Sequence, residues 1–513
     1  MNDRTVGNSN SDSRFPDLNG IAGVIGGFVV TPVGTDAGDG TGTGGSERIR
    51  SIAIDSRVCT AGSLFFALQG ENTDGELFVD AARSHGASAA VVRHESSPDG
   101  RPWTIPVVVV PDSLVALQKL AIWYVDTWLS TTMRIGITGS NGKTTTKEFV
   151  RALLSLSGEV YASKGNLNSE TGLPLSVFDS PPGVPFAVYE MAMSAPGEMK
   201  NLADIVRPRY ALITNVGIAH AGLVGSRDAI ASEKKMISSR FTGKETLLLP
   251  ENDDYRDFLA EGIRGTVVYF GPKSQNATIR DGGDRGLVIT FGDRAETVLP
   301  MIGRHNGMNA LGAIRLVETV TGSIPDLDEV AWTETLPSGR AERIRLAEGG
   351  IVIHDAYNAN PDSMRAALKM VDDLQKSGVE SPTGGRVSTG ETKRPLVVVL
   401  GDMYELGSLA ATAHDEVLAE ALQLEPDSLF LVGDEFRAAF RRRSTVPDTV
   451  VAVSDVTELS ERLRSFSGRE LVLLKGSRAV GLEALIPGMT KISEIRPPGP
   501  PERQESTLAG GTR

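Results

Sequence analysis

Cysteine occurs once in the 513 residues, at Cys59, so no intramolecular disulfide can form and a reducing compartment is the natural setting. Cys59 itself reads as a small buried apolar side chain. Long apolar runs are also missing. The longest near the start, IAGVIGGFVV from Ile21, is about half a membrane span and follows a polar segment without a basic n-region. It is read as part of a fold rather than as a signal, and the chain as cytoplasmic with no integral membrane association. Positive charge is in deficit: 52 Lys and Arg against 65 Asp and Glu leave a net charge of -13. That balance argues against nucleic acid as a partner, so an anionic substrate would have to meet locally basic loops. No repeat of short fixed period is visible, which excludes a solenoid.

What is present is the composition of a globular protein, 40% hydrophobic and 23% charged. At about 150 residues per domain the length predicts three domains. The first fifteen or so residues and the Pro-rich end, RPPGPPERQEST, are not expected to pack. The runs TDAGDGTGTGGSE from Thr35 and KSGVESPTGGRVSTGETK from Lys376 read as exposed loops. Between them, short apolar segments end in Gly, Asp or Asn and lead into helical patterns, the mark of parallel α/β units. MRIGIT from Met133, FAVYEM from Phe186 and YALITNV from Tyr210 are assigned to one sheet. IVIHDAY from Ile351, PLVVVLGDM from Pro395, LFLVGD from Leu429 and LVLLKGS from Leu471 are assigned to another. GLVITFGDRAETVLPMIG from Gly286 alternates as an antiparallel hairpin, expected at the edge of the central sheet. A unit of about 130 residues precedes both sheets.

The most informative turn follows MRIGIT. GSNGK lies between a buried strand and the helical pattern TTTKEFVRALLSL, so backbone N–H groups of Gly139 to Lys143 are expected to face an anion at a helix N-terminus. Lys143 would bring charge to the β/γ-phosphates, and Thr144 a hydroxyl to Mg²⁺. The strict G-x-x-x-x-G-K-[ST] pattern is not met, because Ile137 stands five before Gly142. Alone, the turn indicates only a nucleoside triphosphate.

TGSNGKTTTKE resembles the phosphate loop of the Mur ligase family, and the likeness extends along the chain. KGNLNSETGLPL from Lys164, EMAMSAPGEM from Glu190, TNVGIAHAGLVGS from Thr214, GRHNGMNALGA from Gly303, PSGRAER from Pro337, HDAYNANPDSM from His354, LGDMYELG from Leu400 and LLKGSR from Leu473 occur in the family's order. DSRVCTAGSLFFALQGENTDG from Asp55 resembles the family's UDP-binding unit, so the likeness runs from about Ile21 to about Ile486. It implies an α/β protein of three domains: a UDP-substrate-binding domain over 19–130, a central ATP-binding domain with a mostly parallel sheet over 131–325, and a C-terminal Rossmann-like domain over 326–495. Residues 1–18 and 496–513 are expected to be disordered. YNANP and KGN-x-N-x-E-x-G point to the branch that joins D-alanyl-D-alanine to UDP-N-acetylmuramoyl-tripeptide through an acyl phosphate, in the cytoplasmic stage of peptidoglycan synthesis. The alternatives are the third-residue-adding enzyme or folylpolyglutamate synthase. A monomer is expected.

The resemblance also implies roles. ATP would be held by Thr138, Gly139, Ser140, Asn141, Gly142, Lys143, Thr144 and Thr145, with Asn306 and Asn309 at the adenine and Arg340 and Asp355 at the phosphates and ribose. Two Mg²⁺ ions would be held by Thr144, Glu190, His220 and Lys234, the last as a carbamate formed with CO₂. Ile230, Lys234 and Ile237 share one helical face while Lys235 points about 100° away. An ammonium among isoleucines costs roughly several kcal/mol if unpaired, unless its stem lies on apolar surface and its head reaches water. Lys143, Lys234, His220, Arg340 and Asp355 are the catalytic candidates. Ser56, Arg57 and Asp74 would recognise the UDP moiety, and Asn166, Asn168, Glu170, Tyr357, Asn358, Asn360, Asp402 and Lys475 the peptide substrates. Each has a plainer alternative, such as a helix cap for the asparagines, a salt bridge for Arg340 or an ordinary turn for KGS.

Overall fold

The computed structural model describes residues 14–32, 48–70, 72–218, 225–282, 286–293, 296–330, 332, 338–377, 394–463 and 468–489. The expected loops over 35–47 and 378–393, His220 and the tail 496–513 lie outside these residues. The chain separates into two compact units, one of Met1–Ala277 with Met308–Val330, the other of Thr278–Gly307 with Ala331–Arg513. The fold is α/β with mostly parallel sheets.

In the first unit, β1 (Phe28–Val30), β2 (Ser51–Ala53), β3 (Ser63–Phe66), β4 (Ala87–Val92) and β5 (Val107–Val109) form a sheet in the order β1-β5-β4-β3-β2. Only β1 is antiparallel to its neighbour. The second sheet contains β6 (Met133–Thr138), β7 (Val160–Ala162), β8 (Phe186–Glu190), β9 (Tyr210–Ile213), β10 (Thr246–Pro250) and β11 (Thr266–Phe270). Its order is β11-β10-β9-β6-β8-β7 and every pairing is parallel. The chain winds outward from β6 in both directions, so the loop after β6 lies at the switch point where open parallel sheets bind ligands. Ile135 and Ile137 of β6 are fully buried. Gly136 between them has no room for a side chain, since a Cβ there would lie 2.8 Å from Met191 Sδ.

Helix Ser113–Trp128 packs against helices Gly172–Asp179 and Glu198–Val206, so the layers over the two sheets share one hydrophobic core. Phe15 belongs to that core, with its ring 5.7 Å from Tyr124 and 5.6 Å from Phe178. The expectation that residues up to 18 are unpacked is therefore corrected from Arg14 onward: burial of one aromatic ring holds a polar segment in place. IAGVIGGFVV forms helix Leu18–Ile25 and β1, and Cys59 is buried. Among the described residues no helix is long and apolar enough to cross a membrane.

In the second unit, β12 (Ala277–Asp281), β13 (Leu287–Phe291) and β14 (Thr297–Leu299) form a three-stranded sheet. The antiparallel hairpin β13-β14 matches the alternation. The central sheet ends at β11 and β7, and the hairpin pairs with β12. The last sheet takes the order β15-β16-β20-β17-β18-β19, from β15 (Glu342–Arg345), β16 (Ile351–Asp355), β17 (Leu396–Gly401), β18 (Ser428–Val432), β19 (Val450–Val453) and β20 (Leu471–Lys475). It is parallel apart from β15. Both faces are covered, which explains runs such as LVVVLG in which every residue is buried.

Candidate active site

Residues 139–142 turn sharply between β6 and helix Lys143–Ser155, and Gly139 and Gly142 take φ of 150° and 79°. A Cβ on Gly139 would lie within bonding range of the Thr214 hydroxyl, and one on Gly142 would meet the Asn309 amide at 2.4 Å. The backbone of this loop therefore requires glycine at both positions.

Two of the five N–H groups expected to face an anion are engaged within the fold. Ser140 N donates to Asn215 O at 3.0 Å and Asn141 N to Asn215 Oδ1 at 3.0 Å. Those two donors are tied to the segment after β9, whereas helix geometry leaves the N–H groups in the first turn of helix Lys143–Ser155 without intrahelical acceptors. Asn215 and Thr214, whose hydroxyl donates to Asn141 O at 2.5 Å, shape the loop and had no assigned role. The Lys143 ammonium folds back onto Gly139 O at 2.8 Å. Thr138 is fully buried and its hydroxyl has no partner among the described residues.

Glu190 ends β8 with 3% of its surface exposed, and three side chains fix it. Thr144 Oγ1 donates to Glu190 Oε2 at 2.8 Å, Asn168 Nδ2 donates to Oε1 at 2.8 Å, and Ser163 Oγ accepts from the Glu190 amide at 2.9 Å. The expected pair Thr144 and Glu190 is thus brought together at the mouth of the loop. Asn168, expected at the peptide, orients the carboxylate. Ser163 is itself held by Lys147, a buried ammonium that donates to Ser163 O at 2.5 Å. Neither Ser163 nor Lys147 was singled out, because a Lys four residues into a helix reads as surface. Asn166 is exposed nearby, and Glu170 accepts from Asn201 at 2.6 Å.

Lys234 lies on helix Arg227–Lys235 with 2% of its surface exposed, among the fully buried Ile230 and Ile237. Lys235 reaches away to Phe258 O at 2.7 Å, as the helical spacing predicts. Burial first, and the nearby Lys143 charge second, hold the Lys234 amine well below its ordinary range, against a weaker opposing pull from Glu233. Glu233 accepts from Gly197 and Met199 at 3.0 and 2.8 Å and so caps helix Glu198–Val206.

Mg²⁺ demands oxygen ligands and ordinarily keeps few protein ones beside substrate phosphates. The Thr144 hydroxyl and Glu190 carboxylate, one hydrogen bond apart at the loop, fit that donor chemistry. Among the described residues no three His, Cys, Asp or Glu side chains group as an all-protein cage.

At the front of the first unit, Asp55 accepts from Arg57 N and pairs with its guanidinium at 2.6 Å, leaving Arg57 82% exposed beside the buried Ser56. Asp74 caps the turn Gly75–Phe78 and pairs with Arg93. Glu76, given no role in the sequence, is a buried acceptor for Arg93 N at 2.5 Å and His94 Nδ1 at 2.7 Å.

In the second unit, the Asp355 carboxylate accepts from Ala341 N at 3.1 Å and pairs with Lys475 at 3.1 Å. Lys475 also donates to Asp355 O and Asn358 O, at 3.1 and 2.6 Å. Tyr357 lies 4.2 Å from the Arg340 guanidinium. Asn358 accepts from Ala359 N, and Asn360 accepts from Ser363 N at 2.9 Å, which caps helix Pro361–Ser377. Asp402 is buried and accepts from Glu435 N and Phe436 N at 3.1 and 3.0 Å, capping helix Asp434–Arg442. Ser477 Oγ accepts from Tyr404 N. The carboxylates and amides expected to face a cleft here thus also organise the strand ends. His354 pairs with Glu342 across β15 and β16 at 3.2 Å, and that hydrogen bond is the main cause holding the Glu342 carboxyl at about 2. Asn306 donates to Ile302 O at 2.8 Å, whereas Asn309 belongs to the first unit and abuts Gly142 there.

Known proteins resemble this chain over most of its length. The Mur ligase middle domain matches residues 137–317, and the Mur ligase family catalytic domain matches 48–124. The UDP-N-acetylmuramoyl-tripeptide--D-alanyl-D-alanine ligase of Treponema pallidum is 37% identical, over 87% of this chain and 95% of the relative. The structure of MurF from Acinetobacter baumannii superposes with a TM-score of 0.74 at 26% identity, covering 91% and 97% of the two chains. The MurF ligase of Thermotoga maritima, solved in complex with ADP, shares the fold with a TM-score of 0.71 at 24% identity, covering 86% and 97%. The chain belongs to the Mur ligase family, with the UDP-N-acetylmuramoyl-tripeptide--D-alanyl-D-alanine ligases.

Proposed function

We propose that the protein joins D-alanyl-D-alanine to UDP-N-acetylmuramoyl-tripeptide with conversion of ATP to ADP and phosphate, in the cytoplasm. The observation that carries this reading is the Thr144–Glu190 pair at the mouth of the glycine-shaped loop. Residues 19–130 would take the UDP moiety, 131–325 ATP, and 326–495 the dipeptide.

The reaction has two steps. A carboxylate oxygen of the tripeptide attacks the γ-phosphorus of ATP, the bond to the β-phosphate oxygen breaks, and ADP leaves. The dipeptide amine then attacks the acyl carbon, loses a proton, and phosphate departs as the amide forms. Both steps concentrate negative charge, so fixed cations and dipoles must dominate catalysis. Lys143, which donates to Gly139 O, would turn to meet the β/γ-phosphates, and the helix dipole behind it favours the same charge. Glu190 and Thr144 would hold Mg²⁺, which neutralises phosphate charge and polarises the γ-phosphoryl group when bound. His220 is assigned to a second ion by resemblance alone.

Lys234 is suited to carbamylation because only a neutral amine attacks CO₂, and burial with the Lys143 charge favours the neutral form. The new C–N bond displaces one electron pair onto oxygen and releases a proton. The neutral amine thereby becomes an anion that attracts the Lys143 ammonium. Arg340 and Asp355 are assigned to the phosphates and the ribose, and Asn306 and Asn309 to adenine. Phosphate release measured with UDP-muramoyl tripeptide, with and without D-alanyl-D-alanine, tests the reading. Release that needs both is expected, and release indifferent to the dipeptide would overturn it.

A further inference from the structure

Ligation needs the dipeptide's C-terminal carboxylate to be met by a cation, because an anion in a closing site is otherwise poorly solvated. The sequence assigns Lys475 to the peptide substrates, but its three N–H donors already have three acceptors: Asp355 Oδ2, Asp355 O and Asn358 O. It is also buried. Asn358 and Asn360 use their Oδ1 atoms on Ala359 N and Ser363 N, and Asp402 caps a helix. The residues that look most like ligands here are engaged in holding the strand ends together.

Two guanidinium groups at the same edge differ from these. Arg340 has its Cζ 4.2 Å from the centroid of the Tyr357 ring, and its Nε is buried with no partner among the described residues. Arg478, on the turn directly after β20, is exposed and lies 5.3 Å from the same ring. It has no hydrogen-bond or carboxylate partner among the described residues. The loop carrying Arg340 is anchored by Tyr357 N to Gly339 O at 3.1 Å and by Ala341 N to Asp355 Oδ1 at 3.1 Å. One tyrosine ring thus gathers two cations that repel each other, an arrangement that an anion would relieve.

We propose that Arg478 binds the C-terminal carboxylate of the incoming dipeptide, its planar fork taking both oxygens, while Lys475 acts as a positioning residue that locks Asp355 and the segment after β16. The proposal rests on the dipeptide-ligase reading. It assigns Arg478 a role in substrate binding rather than in the chemistry of phosphoryl transfer, so KM for the dipeptide should move and KM for ATP should not.

The test is steady-state kinetics on the full chain with Arg478→Ala and Arg478→Lys, using D-alanyl-D-alanine and its C-terminal carboxamide. Arg478→Ala is expected to raise dipeptide KM about ten- to a hundredfold, the range of a charge-assisted bidentate contact, with ATP and UDP-tripeptide KM within about twofold of wild type. Arg478→Lys should fall between, since a lysine keeps the charge and loses the fork. Wild type should prefer the free acid over the carboxamide by a similar factor, and Arg478→Ala should not distinguish them. The side chain is exposed, so thermal unfolding should be unchanged. An unmoved dipeptide KM, an acid preference that survives Arg478→Ala, or a rise in ATP KM instead would overturn the assignment; the last would give the guanidinium to the triphosphate. If wild type showed no dipeptide-dependent phosphate release, the underlying reading would fail, which is a distinct result.

Discussion

Replacing Lys234 by methionine should make the protein more stable and abolish ligation. The side chain is 2% exposed between Ile230 and Ile237, and Lys143 adds a repulsive charge. Folding therefore requires either burying an ammonium or releasing its proton. A methionine of similar volume requires neither, so the exchange should stabilise by up to roughly several kcal/mol, the effective penalty of one buried ion. The sign with pH follows from linkage. The amine's folded pKa is depressed below its ordinary value of 10.5, so the unfolded chain holds the extra proton at lower pH. Wild-type stability, relative to Lys234→Met, should fall as pH drops from 10.5 toward the folded pKa and level off below it. Added bicarbonate should narrow the gap for wild type only, because a carbamate forms in the folded state alone. Urea unfolding followed by tryptophan fluorescence across pH 7 to 10, with ligase assays on the same samples, would measure this. A methionine variant less stable than wild type at every pH, or one still active, would refute the reasoning.

Glu190→Gln keeps the shape but removes the charge beside Thr144, so kcat should fall by at least about a hundredfold and the Mg²⁺ titration should shift to higher concentration, while thermal unfolding changes little. Asp402→Ala removes two hydrogen bonds at the start of helix Asp434–Arg442 and should destabilise by about 1 to 2 kcal/mol in urea unfolding; a dipeptide KM that rises as well would support the assignment of Asp402 to the substrate, and an unchanged KM would leave it a helix cap alone. Glu76→Ala leaves Arg93 N without its buried acceptor and should cost about 1 to 3 kcal/mol, read by the same method. Gly139→Ala should abolish phosphate release, since its Cβ would collide with the Thr214 hydroxyl in a left-handed backbone.

The parallel strands were legible because burial on both faces leaves continuous apolar runs, and the phosphate loop because glycine is forced where backbone approaches Thr214 and Asn309. Lys234 was legible through helical spacing against two isoleucines. Partners joined over long separations were not. Asn168 reads like a peptide contact and also grips Glu190 from 22 residues away; Asn215 reads as the end of a strand and takes two N–H groups of the loop. Asn360 and Asp402 carry the residue types of a binding site, but the same oxygens cap helices, and sequence alone does not separate those uses. The pairing of hairpin β13-β14 with β12 was not legible, because alternation gives pairing within a hairpin and not the neighbour beyond it.

Transfer of ¹⁸O from the tripeptide's terminal carboxylate tests the acyl-phosphate route most directly. With the labelled UDP-tripeptide, ATP and D-alanyl-D-alanine, the account predicts one ¹⁸O in each released phosphate, detected by mass spectrometry. Phosphate free of label, formed together with the amide product, would contradict it.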